Sequence, residues 1–230
     1  MASPIEAREL AIPIGSATLR GSLCLPPSAQ ALVVFAHGSG SGRLSPRNRA
    51  VAKYLSDGGL ATLLFDLLTA DEEAVDLATA ELRFNIGLLA ERLAQTTRWV
   101  LRRPDLKSLT IGYFGASTGA AAALVAAAEL PEVHAIVSRG GRPDLAGATL
   151  RRVRAPTLLI VGGFDFEVLE LNRAALDAMA GEARLDVVPG ATHLFEEPGA
   201  LERVAALALD WFRRHLVPMK GGRTAQNQAI

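Results

Sequence analysis

The chain alternates short apolar runs, at residues 31–36, 60–65, 109–114, 133–137, 157–161 and 185–188, with longer stretches of helical hydrophobic period. Short runs with little polar alternation predict strands buried on both faces, as in a parallel sheet covered by helices. The stretches between them predict helices at 46–57, 118–130, 168–180 and 200–216, with a short one near 146–152. After an acidic connection, Asp71-Glu72-Glu73, one long helical pattern is predicted to run to about Arg103, where Pro104 ends it. Residues 10–14 and 18–25 predict an edge hairpin turning at Gly15-Ser16. The expected class is therefore α/β: a mostly parallel sheet with helices on both faces. No internal repeat or linker interrupts it. Residues 1–230 read as one domain, with its core over about 10–216 and a polar tail, 217–230, expected to be mobile.

Composition narrows the class without naming a chemistry. A chain of 230 residues that is 50% hydrophobic and 21% charged is globular and can bury a sizeable core. Lys+Arg and Asp+Glu balance at 24 each, so no global field favours nucleic acid or an anionic membrane, and a small molecule is the expected partner. All the basic residues except Lys53, Lys107 and Lys220 are arginine. Cys24 is the single cysteine, so no internal disulfide can form, which fits a reducing cytosol; it reads as a small core residue rather than a nucleophile. Glu6, Arg8 and Glu9 stand where a signal peptide would need an apolar run, and the longest wholly apolar stretch, 120–128, is too short to span a bilayer. A soluble, cytoplasmic protein is expected.

The most specific chemical signal is Gly115-Ala116-Ser117-Thr118-Gly119, between a predicted strand and an alanine-rich helix. A serine in such a corner is forced into a tight bend where only residues without side chains can sit beside it. Its hydroxyl then projects above the sheet edge, the geometry of a nucleophile elbow. The plainer reading is a turn whose serine caps the following helix. Serine is a poor nucleophile at its free pKa and needs a base. His134 sits at the opposite end of a strand, and His215 at a helix C-terminus, where a cation suits the dipole. His37 and His193 both follow predicted strands at their carboxyl ends, where parallel sheets carry their working loops. Only His193 follows the chain order serine, acid, histidine, so it is the candidate base.

Asp165, in Gly162-Gly163-Phe164-Asp165, is the candidate acid, with Asp144 and Glu167 as rivals and helix capping as its plainer role. Two backbone N–H groups are needed against the developing oxyanion; Thr118 and Ser39 are the candidates, with His37 fixing the loop that carries Ser39. That loop, His37-Gly38-Ser39-Gly40, lacks the Lys-[Ser/Thr] ending of a phosphate-binding P-loop. Arg139 lies just past a predicted strand and is a candidate to bind a substrate carboxylate, against a solvated arginine or a salt bridge to Asp144. Leu67 and Leu68 are candidates for an apolar acyl wall, or for core.

Taken in order, His37-Gly-Ser-Gly, Gly115-Ala-Ser-Thr-Gly119, Gly162-Gly-Phe-Asp165 and Gly190-Ala-Thr-His193 make the chain resemble the α/β-hydrolase superfamily. Within it, the chain is similar to the dienelactone-hydrolase-like group from about Gly15 to Leu216. The resemblance implies an eight-stranded sheet with acyl transfer at its carboxyl edge and no metal or organic cofactor. True dienelactone hydrolases carry a cysteine nucleophile, whereas position 117 is serine, which favours simple carboxylic esters. Group members also occur fused to a phosphoribosyltransferase domain; none is expected here. Only residues 138–155 separate two of the strands where many relatives insert a lid, so an open site for short acyl chains is expected. Two alternatives stand: the same triad passing its acyl group to another acceptor, as an acyltransferase or perhydrolase, or a catalytically idle fold that only binds.

Overall fold

The protein is described here by a computed structural model covering residues 7–217; the predicted tail from 218 onward lies outside the described residues. Eight strands form one sheet: β1 (Arg8–Ile14), β2 (Ala17–Cys24), β3 (Ala31–Ala36), β4 (Ala61–Phe65), β5 (Thr110–Ala116), β6 (Val133–Arg139), β7 (Thr157–Gly162) and β8 (Ala183–Val188). Their spatial order is β1-β2-β4-β3-β5-β6-β7-β8. The hairpin β1–β2 turns at Gly15-Ser16 and joins β4 antiparallel, while β4, β3 and β5 to β8 run parallel. Strands β3, β4 and β7 are buried at every position, as their unbroken apolar runs require.

The described residues form six α-helices, α1 (Pro46–Asp57), α2 (Ala70–Thr79), α3 (Ile86–Arg102), α4 (Thr118–Ala127), α5 (Phe166–Ala178) and α6 (Ala200–Leu216), and all but α2 cover the sheet. One face packs against α3, α4 and α5, with Leu89, Leu93, Leu124 and Ala175 in its core. The other packs against α1 and α6 through Val51, Leu55, Val204 and Phe212. Among the described residues, no helix is long and apolar enough to cross a membrane.

One predicted element divides. The long helical pattern up to Arg103 is two α-helices joined by a 3-10 turn, Leu82–Phe84. Asp71, Glu72 and Glu73 form the first turn of α2, not a connection, because Thr69 and Glu72 make a reciprocal capping box there. Carboxylates suit that end of the helix dipole. The helix stops at Ala80, in left-handed conformation with φ 58°. Asp76, buried, then gathers Arg83 through its backbone N–H and guanidinium at 2.8 Å each, and Asn85 caps α3. Apolar periodicity runs through this corner unbroken, so only the polar side chains announce it. The short helix near 146–152 is a 3-10 segment, Pro143–Arg152, kinked at Gly147.

Alanine lets α4 approach the sheet. Nine of its ten residues are buried, and a Cβ on Gly119 would lie 2.3 Å from the Ala36 carbonyl and 2.4 Å from that of His37. Gly119→Ala should therefore lower stability by at least about 2 kcal/mol in denaturant titration. Gly87→Ala is the control, since a Cβ there meets only Asn85 Oδ1 at 3.6 Å. It should be neutral or stabilise α3 by up to about 1 kcal/mol.

Candidate active site

The parallel strands end on one edge, and the loops that leave them there carry the candidate residues. Ser117 joins β5 to α4 at φ 51° and ψ −122°, a backbone state that costs a residue with a side chain about 1–3 kcal/mol. Neighbouring backbone holds it: Ser117 N–H donates to the Arg139 carbonyl, and the Ser117 carbonyl accepts from Ala120 and Arg142, each at 3.1 Å. Gly115 is required as well, since a Cβ there would meet Ala120 Cα at 2.4 Å. Although Ser117 occupies the N-cap position, its side chain makes no capping hydrogen bond. The hydroxyl is turned to His193 instead.

His193 Nε2 lies 3.4 Å from Ser117 Oγ, and its Nδ1 lies 2.6 Å from Asp165 Oδ2. An ionised carboxylate only accepts, so Nδ1 carries the proton and Nε2 presents its lone pair to the serine hydroxyl. Asp165 likewise stands at an N-cap position, that of α5, without capping it. The rivals are elsewhere: Asp144 is taken by Arg142 through two bonds of 2.7 and 2.8 Å, and Glu167 is exposed. The loop behind His193 is braced by Thr192, whose N–H and hydroxyl both donate to Glu197 Oε1, at 3.0 and 2.6 Å. Phe195, in left-handed conformation at φ 56°, drives its ring into the core beneath.

His37 spends both ring nitrogens on backbone rather than on Ser117. Its Nδ1–H donates to the Gly38 carbonyl and its Nε2 accepts the Leu67 N–H, both at 3.0 Å, so the neutral ring straps the β3 loop to the β4 loop. Ser39 N–H, expected to face an oxyanion, donates to Thr118 Oγ1 at 2.9 Å, linking the two candidate donor residues to each other. Thr118 N–H opens the helix and has no intrahelical carbonyl to meet. Leu67 is fully buried in the core and, with the half-buried Leu68, also floors a cavity of about 60 Å³ beside the loop of residues 37–41. Leu77, Arg83 and Leu89 close its other side. The cover over this loop thus comes from the segment around α2, not from residues 138–155.

The other candidates separate. His134 is exposed and bonded to the Glu132 carbonyl at 2.7 Å, while His215 packs against Trp211 with tilted rings, their centres 4.4 Å apart. Arg139 is neither solvated nor paired with Asp144; it is 7% exposed and makes no ion pair. Sequence reasoning passed over Phe164 and Phe166, which bracket Asp165, stay 62% and 69% exposed, and set their rings 6.3 Å apart. Two large apolar residues flanking an acid after a strand were the available signal. Among the described residues, no group of His, Cys, Asp and Glu is arranged to hold a metal ion.

The dienelactone hydrolase family matches residues 19–218. The chain belongs to that family. It is 56% identical to the dienelactone hydrolase from Anabaena variabilis, covering 92% of this chain and 99% of that one with a TM-score of 0.89. This dienelactone hydrolase family member is also 57% identical over 214 residues to two curated relatives from Mycobacterium tuberculosis strains, provisionally named phosphoribosyl transferases. The match takes in 93% of this chain but spans about half, 47%, of theirs. The esterase domain of a Rhodothermus marinus protein, 20% identical with a TM-score of 0.71 over 91% of this chain and 99% of that one, shares the fold. The family and its fold support hydrolase chemistry.

Burial holds the His37 imidazole below its ordinary value of 6.5, outweighing the Gly38 carbonyl and the Asp66 and Glu73 charges. The unfolded chain then takes up a proton here at a pH where the folded protein does not, so stability falls as pH drops below about 6.5. Melting temperatures measured from pH 8 to pH 5 should decline below that point. The decline should be shallower in His37→Gln, with His215, also lowered by burial, supplying the remainder. An identical slope in the variant would exclude His37 as the titrating group.

Proposed function

We propose that this hydrolase cleaves carboxylic esters through a Ser117-His193-Asp165 triad, by way of an acyl-enzyme. The reading is carried by one observation: a serine hydroxyl held in a strained elbow, aligned through both ring nitrogens of a histidine to a carboxylate. In the first step Ser117 Oγ attacks the ester carbonyl carbon while its proton passes to His193 Nε2. Asp165 keeps the tautomer and stabilises the imidazolium. The carbonyl oxygen becomes negative and is met by Thr118 N–H and by Ser39 N–H, which exchanges its bond to Thr118 Oγ1 for the oxyanion. Collapse breaks the ester C–O bond, and the proton on Nε2 goes to the departing alcohol. Water then attacks the acyl-enzyme, giving its proton to Nε2, and Ser117 recovers that proton as the acid leaves.

Serine in this role needs the histidine, because an alcohol is scarcely ionised near neutral pH. The small cavity beside Ser39, floored by Leu67 and Leu68, fits an acyl group of a few carbons, and the exposed Phe164 and Phe166 offer an apolar surface on either side of Asp165. The phosphoribosyl transferase name of the curated relatives is assigned, in this reading, to the half of those proteins outside the match.

With p-nitrophenyl esters, acetate and butyrate should be hydrolysed, and Ser117→Ala should lose about 10⁴- to 10⁶-fold in kcat. Near wild-type turnover in that variant would overturn the assignment. Within the same series, kcat/KM should fall from short to long acyl chains, because the cavity holds only about 60 Å³. Equal efficiency on acetate and palmitate would contradict the short-chain reading.

A further inference from the structure

The turn Arg139-Gly140-Gly141-Arg142, after β6, stands against both the candidate nucleophile and the candidate base. The Arg139 carbonyl accepts Ser117 N–H and the Arg142 N–H donates to the Ser117 carbonyl, each at 3.1 Å. Between those two bonds lies Gly140, at φ 51°, where a Cβ would come within 3.4 Å of His193 Cε1 and 3.5 Å of its Nδ1. Gly141 is packed as tightly: a Cβ there would collide with Ser138 Oγ and lie 2.7 Å from Ala120 Cβ. Glycine permits this close approach but brings no side chain to hold it. The Gly140 N–H is tied by backbone, to the Ile160 carbonyl at 2.8 Å. The Gly141 carbonyl is tied by a side chain. Asn172, on α5 and fully buried, donates from Nδ2 to that carbonyl at 2.9 Å and to the Val168 carbonyl, four residues earlier in its own helix, at 2.7 Å.

Asn172 thereby joins the turn to the helix that carries the acid. Asp165 stands at the N-cap of α5, and its carbonyl accepts Leu169 N–H at 2.9 Å in the first turn. Asn172 follows Asp165 by seven residues, close to two helical turns, so both lie on one side of α5. The amide spends its donor on two carbonyls while its Oδ1 is buried without a partner among the described residues. An unpartnered buried acceptor is destabilising, and a leucine of similar volume would not carry that cost. What the amide adds over leucine is the tie between α5 and Gly141. We propose that Asn172 is a positioning residue for the triad. By pinning Gly141 to the helix of the acid, it keeps the turn pressed between Ser117 and His193 and fixes the 3.4 Å approach of Nε2 to Oγ. Asn172 touches no reacting atom. Its effect comes through geometry, where a misplacement of about 1 Å costs on the order of 100-fold in rate. The proposal rests on the ester-hydrolase reading and deepens it.

The test makes two substitutions in the whole protein. Asn172→Leu keeps the volume and removes both hydrogen bonds. Asn172→Thr keeps a hydroxyl that bonds back to the carbonyl four residues earlier, as Thr97 does to Leu93 at 2.9 Å, but is too short to reach Gly141. In both, kcat on 4-nitrophenyl butyrate should fall about 10- to 100-fold with KM held within about twofold. Labelling of Ser117 by a fluorophosphonate should slow in step. The proton NMR signal of His193 Nδ1–H, set far downfield by the 2.6 Å bond to Asp165, should move upfield or broaden, which a loss of global stability alone does not cause. An unchanged kcat, or an unmoved signal, in a folded variant would overturn the positioning role. So would a loss of rate that vanishes once activity is scaled to the folded fraction. If Asn172→Leu does not fold, Asn172→Thr decides. Failure of the ester-hydrolase reading looks different: wild type itself neither turns over the ester nor takes the probe. The NMR signal then carries the test, since it reports the bond between His193 and Asp165 without catalysis, and it must still shift in the variants.

Discussion

The structure depends on how closely α4 can approach the carboxyl edge of the sheet. Gly119 sits where a methyl group would lie 2.3 Å from the Ala36 carbonyl, and Gly115 where one would meet Ala120 Cα at 2.4 Å. That contact leaves Ser117 no choice but the positive-φ state, and three backbone hydrogen bonds at its N–H and carbonyl hold it there. The strain, about 1–3 kcal/mol, is large against a net stability of about 5–15 kcal/mol for a domain. It is offset by a helix buried at nine of ten positions, which alanine makes possible by filling the gap without forcing the layers apart.

The same edge organises the polar groups. Because β3 and β5 to β8 are parallel, the loops after β3, β5, β6, β7 and β8 emerge side by side. They bring His37, Ser117, Arg139, Asp165 and His193 together from positions far apart in the chain. The two histidines at this edge are distinguished by hydrogen bonding. His37 spends both ring nitrogens on backbone, so it is a strap; His193 spends one on a carboxylate and leaves the other at a hydroxyl. Charge follows a similar division. The chain is neutral overall, yet Arg139 is buried at this edge with Nε and Nη1 unpartnered among the described residues.

Much of this was legible in the residues. Apolar runs placed β3 to β7 to within a few residues, because strands buried on both faces have little alternation to disguise them. The glycine pair around Ser117, and the order in which Asp165 and His193 follow, identified the groups that the sheet brings together. The break in the long helical pattern was harder to see. Apolar periodicity continues across residues 80–85, and what ends α2 is a left-handed residue beside a buried Asp76–Arg83 pair, a contact between side chains seven positions apart.

Sequence by itself determined the α/β class, the strand order along the chain, the elbow and the candidate Ser117, Asp165 and His193, because each rests on local backbone demands or on chain order. Tertiary structure alone decided which plausible partners meet. Asp144 goes to Arg142, Ser39 to Thr118, His37 to Leu67, and Arg139 to none. Side-chain pairing depends on direction and burial across strands that only the folded sheet makes neighbours, and no spacing along the chain encodes which way a guanidinium turns.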